Sequence, residues 1–333
     1  MRNKFIAMLA ASALTSVACA APAEPVTSSI RADYASFIDE MVEKHGFERD
    51  ALAELFTGVE RRQDIIDAIT RPAEALPWHR YRNIFLTEAR ASGGVTFWDA
   101  HADTIERAAR KFGVAPEIIV AIIGVESNYG SIQGRYPVID ALATLGFDYA
   151  PRARFFRSEL EHFLLLARDE GLDPVAAKGS YAGAMGSPQF IASSYRAYAV
   201  DFDESGSRDL WGSWPDIIGS IANYFHKHRW APGEMVAVRA TLADADAAAL
   251  STRSLDMQST VGALRAAGVD FDESLTADLP ANLLMLETSP EGDAEYWVTL
   301  HNFFVITRYN RSPLYSIAVY RLAQDIRQRR DAR

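Results

Sequence analysis

The sequence has one cysteine, Cys19, so no disulfide can close within the chain. It has no apolar run of the roughly 18–20 residues that a membrane-spanning helix needs. It is also short of positive charge: 34 Lys and Arg stand against 44 Asp and Glu, a net charge of −10. An acidic chain gains little from phosphate backbones, which sets nucleic acid aside as a partner. The excess is spread along the chain, a distribution that serves solubility rather than a specific acidic tail. Histidines form no ligand cluster either, since His226 and His228 stand two apart and do not share a helix face. What is left is a chain of 333 residues with 49% apolar content, too apolar to be largely disordered and long enough for two or three packed lobes.

The first residues differ from the rest. Arg2 and Lys4 form a basic start, Phe5–Leu14 is apolar except for Ser12, and Ala18-Cys19-Ala20 fits an A-x-A cleavage site. That is the pattern of a signal peptide over residues 1–20. Cys19 admits two fates. Either it leaves with the leader, or it is lipidated behind Ser16-Val17-Ala18, an imperfect lipobox with Ser16 where a Leu-like residue is usual. Both place the mature chain outside the cytoplasm.

Residues 21–29, rich in Ala, Pro, Thr and Ser, read as a lead-in. Over 30–110 the apolar spacing is helical, with Phe37, Met41 and Val42 on one stripe and Leu52, Leu55 and Phe56 on another. Breaks are expected near Gly46, Arg71-Pro72, Leu76-Pro77 and Gly93-Gly94. Residues 111–235 combine helical runs with glycine-rich loops. Over 236–300 short β-prone runs (Val236–Ala240, Leu283–Leu286, Tyr296–Leu300) surround a helix near Val261–Ala267, and the segment 301–333 turns helical again. The fold class expected is mainly α (α+β), with a small β-containing lobe.

Pro116 suits a first helical position, and Asn128 or Gly130 suits the exit, so a helix should run between them. On it Ile119, Ile122, Ile123 and Glu126 share a face at i, i+3, i+4 and i+7. A carboxylate ending an apolar stripe is costly. Apolar surroundings and the negative end of the helix dipole would both raise its pKa, as a general acid requires. A boundary Glu that pairs with an Arg is the plainer alternative. Downstream, Lys178-Gly179-Ser180-Tyr181-Ala182-Gly183-Ala184-Met185-Gly186-Ser187-Pro188-Gln189-Phe190 is a small-residue loop ending in an amide and an aromatic. Small residues admit a flat sugar to the backbone, and Gln189 can exchange hydrogen bonds with hydroxyl or acetamido groups.

Six stretches occur in order between Ile30 and Arg327: Glu126-Ser127-Asn128-Tyr129-Gly130; Tyr149–Phe156; Gly183-Ala184-Met185-Gly186 with Gln189-Phe190; Ala199-Val200-Asp201-Phe202; Ile218–Phe225; and Asn302–Asn310. Together they resemble the membrane-bound lytic murein transglycosylase B family. The resemblance implies a lysozyme-like catalytic core (111–235) with a helical N-terminal lobe and a small β lobe. It implies a monomer in the periplasm, soluble or anchored to the outer membrane through Cys19. It also implies cleavage of the β-1,4 bond between N-acetylmuramic acid and N-acetylglucosamine in peptidoglycan strands, leaving 1,6-anhydro ends. Glu126 falls at the catalytic position, and Arg152, Ser180, Gln189, Tyr224 and Asn302 at saccharide-binding ones. Two departures stand out: Ala192 replaces a usual Pro, and Pro151 replaces an Arg common beside Arg152, a contact that Arg154 would have to cover.

Most glycosidases use two carboxylates. Here the substrate's own 6-hydroxyl would attack its anomeric carbon, so one suffices, and no cofactor is required. A hydrolytic muramidase would need a second carboxylate such as Asp140 or Asp148, while a peptidoglycan-binding protein would need none. Finally, Asp201, Asp203, Ser205 and Ser207 alternate around Gly206 like the front of an EF-hand loop, but Gly212 stands where its twelfth-position Glu would be. The family resemblance adds Asp216, and a structural calcium is weighed equally with a solvated acidic turn.

Overall fold

The computed structural model describes residues 31–71, 76–243, 245–271 and 274–333. The expected signal peptide, Cys19 and lead-in lie outside these residues. The described chain divides into two compact units, one ending at Thr57 and one beginning at Gly58. In the first, α1 (Ala32–His45) ends at Gly46 in the left-handed region, and α2 (Arg49–Thr57) follows. Phe37 and Met41 are buried as their spacing predicts, and the rings of Tyr34 and Phe37 lie 5.2 and 5.9 Å from that of Phe56.

The second unit begins with α3 (Gln63–Ile69), α4 (Trp78–Phe85), α5 (Glu88–Ala100), α6 (Ala102–Phe112) and α7 (Pro116–Ser127). Next come β1 (Tyr136–Pro137), α8 (Val138–Asp148), a 3-10 turn Ala150–Arg152, α9 (Ala153–Glu170), β2 (Lys178–Gly179), α10 (Ala192–Tyr198) and α11 (Trp214–Lys227). Helix α7 is the centre of this bundle, contacted by α5, α6, α11 and α14 (Pro313–Asp331). Every residue from Ile118 to Val125 is buried, so the expected single apolar stripe is in fact a helix apolar on all sides. Its β-branched residues are mediocre helix formers, and the bundle around them overrides that preference. Each fully buried isoleucine adds about 2 kcal/mol of apolar burial.

The expected break at Gly93-Gly94 does not occur. Both glycines lie inside α5, and their purpose is close approach: a Cβ on Gly94 would come within 2.6 Å of the Tyr129 hydroxyl. The strands are β3 (Ala237–Leu242), β4 (Ser259–Thr260), β5 (Val269–Asp270), β6 (Pro280–Glu287) and β7 (Ala294–Thr299), and α12 (Val261–Ala266) sits among them. They form one antiparallel sheet in the order β4-β6-β7-β3-β5. Val261 and Leu264 of α12 share its apolar cluster with Val238, Leu283 and Val298. The sheet is tied to the helices by Glu295, a buried carboxylate that accepts from the Trp78 indole at 3.0 Å and the Arg321 guanidinium at 2.9 Å. From β7 the chain enters α13 (His301–Tyr309) and then α14, which returns to α7.

Candidate active site

Glu126 stands in the last turn of α7, partly exposed where the helix leaves the core. The chain turns away through Asn128 and Tyr129, with φ of 48° and 57°. Left-handed backbone is unfavourable for a tyrosine, so something must hold it. The hold is the ring itself, stacked 5.5 Å from Phe97 with its hydroxyl donating to the Arg90 carbonyl at 2.8 Å. A Cβ on Gly124 would lie 2.5 Å from that hydroxyl. In return, the Arg90 guanidinium donates to the carbonyl of Gly124, which also accepts from the Asn128 amide at 3.2 Å, and at 3.5 Å to that of Val125.

Two phenols face the carboxylate. The Tyr315 hydroxyl, at the start of α14, donates to Glu126 Oε1. Tyr309, the last residue of α13, lies close enough to feel the Glu126 charge, and its hydroxyl donates to the Pro188 carbonyl at 2.6 Å. Burial first, then the Glu126 charge, pushes both phenols well above the ordinary tyrosine range, so they stay protonated donors. No pattern in the sequence pointed to Tyr315, 189 positions from its partner. Tyr309 lay inside a quoted stretch without an assigned role.

Gln189 sits beside this group. Met185 and Phe190 exchange backbone hydrogen bonds at 2.8 and 3.1 Å, closing a loop whose last residue, Gln189, takes a φ of 51°. Gly186 permits the turn, because a Cβ there would collide with the Leu210 carbonyl. The Gln189 amide donates to the Gly186 carbonyl at 2.8 Å, and among the described residues no donor reaches its Oε1. Tyr224 lies behind the loop, its ring 4.9 Å from Tyr309 and 5.6 Å from Phe190. Its hydroxyl is spent on the Arg308 carbonyl at 2.6 Å, so it is the ring that shapes the wall.

The other saccharide candidates fall elsewhere. Ser180 follows β2, and its hydroxyl oxygen accepts from the backbones of Ala182 and Ala184, bracing the small-residue loop. Arg152 is exposed on the 3-10 turn that Pro151 helps to start, stacked 4.5 Å over Phe155, with no acidic partner among the described residues. Asn302 is fully buried, accepts from Ala231 and donates to Ala231 and Glu234, all at 2.9 Å, so its amide pins the 231–234 turn. Buried Glu159 accepts from the Ser193 amide and hydroxyl, holding the start of α10 where Ala192 stands.

The carboxylates a hydrolytic route would call on are taken. Asp140 is buried, accepts from the Glu60 amide and pairs with Arg62 at 3.0 Å, and Asp148 faces Arg61 at 3.7 Å. In the acidic loop, oxygens of Asp201, Asp203 and Asp216 lie within 4.8 Å of one another. Asp201 braces the amides of Ser205 and Gly206, and Asp216 those of Phe202 and Asp209. Burial pushes the Asp216 carboxyl up, and the Asp203 and Asp201 charges add to that against the two amide donors. Three hard oxygen donors with crowded charge suit a divalent cation. The Ser205 side chain lies against the Asp203 carboxyl, and its hydroxyl donates to the Ser207 backbone carbonyl, the oxygen expected at the seventh position, at 3.2 Å on the exposed rim.

Residues 29–324 match the family described as the transglycosylase SLT domain. The chain is 42% identical over 300 residues to membrane-bound lytic murein transglycosylase B of Escherichia coli K12, spanning 87% of this chain and 81% of that protein. It is similar to the crystal structure of the soluble lytic transglycosylase SltB1 of Pseudomonas aeruginosa: TM-score 0.85, 49% identity, 90% of this chain and 99% of that one. The Escherichia coli lytic transglycosylase Slt35 in complex with calcium gives a TM-score of 0.82 at 42% identity, covering 90% of this chain and 94% of that one. Among the described residues no helix is long and apolar enough to cross a membrane.

Proposed function

The chain belongs to the transglycosylase SLT domain family, and on that premise we propose that Glu126 is the single catalytic carboxylate of its lytic murein transglycosylase activity. The protein is an enzyme of the cell wall that cleaves the β-1,4 bond between N-acetylmuramic acid and N-acetylglucosamine and leaves 1,6-anhydro ends. The observation that carries the role of Glu126 is its setting. It is joined by two protonated phenols, while Asp140 and Asp148 are each occupied by an arginine. With Tyr315 donating to Oε1, the transferable proton belongs on Oε2. Oε2 delivers it to the leaving glycosidic oxygen, then takes one from the 6-hydroxyl as that oxygen attacks the anomeric carbon. Charge developing on the ring is met by the substrate's own acetamido oxygen.

Gln189, with an open Oε1, and Arg152, an unpaired cation on an aromatic base, are the groups suited to hold acetamido and carboxylate arms of the strand. Tyr224 and Ser180 act through the wall and loop they brace. Calcium bound by Asp201, Asp203 and Asp216 would relieve their mutual repulsion and fix the chain between α10 and α11, a structural role that the calcium complex of the similar Slt35 supports. The leader over 1–20 sends the protein to the periplasm, soluble or held at the outer membrane by lipidated Cys19. Intact-mass analysis decides between these: a start at Ala21 without added mass means soluble, and an acylated Cys19 means anchored. The reaction is tested by mass spectrometry of digested sacculi. Anhydro ends are expected; reducing ends would mean hydrolysis, and intact strands a binding protein.

A further inference from the structure

Arg90 is the half-buried charge that the reaction just described does not use. It lies on α5, and among the described residues no carboxylate pairs with it. Burying a guanidinium is costly, and burial lowers its pKa, so the chain has reason to give it hydrogen-bond acceptors. Those acceptors are the carbonyls of Gly124 and Val125, immediately before Glu126. The residue is held from the other side as well. Its own carbonyl accepts from the Tyr129 hydroxyl, three residues after Glu126. Glu126 thus sits on a short span of backbone gripped at both ends by one residue of a neighbouring helix.

We propose that Arg90 is a positioning residue for the Glu126 reading above: with Tyr129 it forms a two-ended clasp that sets the direction and charge environment of the catalytic carboxyl. The span has reason to need it. The backbone after Glu126 is left-handed at Asn128, Tyr129 and Gly130, and the Gly124 carbonyl otherwise holds the turn by a single 3.2 Å bond from the Asn128 amide. A cation at that end also offsets the negative end of the α7 dipole. The groups facing Glu126 then include Tyr309 from α13, Tyr315 from α14 and, through the carbonyls, Arg90 from α5.

The test is the rate and pH profile of sacculus cleavage for Arg90→Met, Arg90→Lys and Tyr129→Phe, with a thermal melt for each. Misplacing a reacting group by a fraction of an ångström costs about tenfold or more in rate, so Arg90→Met should lose that much kcat with KM nearly unchanged. A nearby cation favours the carboxylate, so removing it raises the pKa of Glu126. The alkaline limb, where Glu126 loses its proton, should therefore move up by about half a unit or more. Arg90→Lys keeps the charge and should restore the limb, but only part of kcat, because a single ammonium cannot reproduce the fork. Tyr129→Phe should lose a few-fold in kcat without moving the limb.

A wild-type kcat and limb in Arg90→Met, with only the melt lowered, would overturn the clasp and leave Arg90 as scaffold. Where Arg90→Met does not fold, wild-type kcat in both Arg90→Lys and Tyr129→Phe overturns it instead. An active Glu126→Gln, by contrast, removes the reading beneath it whatever the Arg90 variants do.

Discussion

Glu126 and the Asp201–Asp216 loop both hold negative charge beside the core, and they handle it differently. Glu126 is one carboxyl facing phenols that stay protonated, with no second carboxylate described beside it. The loop packs three carboxylates within 4.8 Å, one of them fully buried. Hydrogen-bond donors leave a carboxyl able to gain and lose a proton, whereas crowded carboxylates ask for a cation and lose their use as acids. A site for proton transfer and a site for a metal can therefore be told apart by what surrounds the oxygens, not by how many there are.

The sharpest test is Glu126→Gln, isosteric but unable to carry the proton. Cleavage of sacculi should fall about a thousandfold or more, with the melting temperature within about 2 °C of the parent. Activity within a few-fold of the parent would sink the assignment. At the loop the expectation reverses. Millimolar calcium should raise the melting temperature over chelator by about 5 °C when it exceeds its dissociation constant a hundredfold, with little change in kcat. Asp201→Ala should abolish that rise, and equal melts in every condition would make the loop an ordinary acidic turn. A change outside both regions serves as a control: Asn302→Ala removes three hydrogen bonds to the 231–234 backbone and should cost about 2 kcal/mol in denaturant unfolding. Its KM should stay at the parent value, and a large rise would place Asn302 in the cleft. The smallest effect belongs to Tyr315→Phe, about tenfold in kcat for the loss of one hydrogen bond to the carboxyl. Unchanged kcat there would mean that the phenol only packs.

The parts of the fold legible in the sequence were those governed by neighbours along the chain. Pro116 and Asn128 mark the ends of α7, and the β-prone runs become β3, β6 and β7 with ends displaced by a few residues at most. What was not legible depended on distant partners. Gly93-Gly94 reads as a break until Tyr129 arrives from elsewhere in the chain. The bonds from the Asn302 amide to the turn at Ala231 and Glu234 join residues some seventy positions apart, which no local pattern announces. In the acidic loop Asp201 and Asp203 meet as their spacing suggests, whereas Asp216 joins them from α11, which no local spacing announces.

The slot for the Tyr129 ring bears on any attempt to make this enzyme more heat-resistant. Replacing a helical glycine by alanine is a standard gain, worth about 1 kcal/mol per site. Gly94 and Gly124 are obvious choices by that rule, since each lies inside a helix. Here the added methyl would land 2.5–2.6 Å from the Tyr129 oxygen, and at Gly94 also 2.5 Å from Ile326. The ring would be expelled and the turn after Glu126 with it. A variant library built on helix propensity would therefore select against the active site while appearing to improve the scaffold, and these two positions should be held fixed in its design.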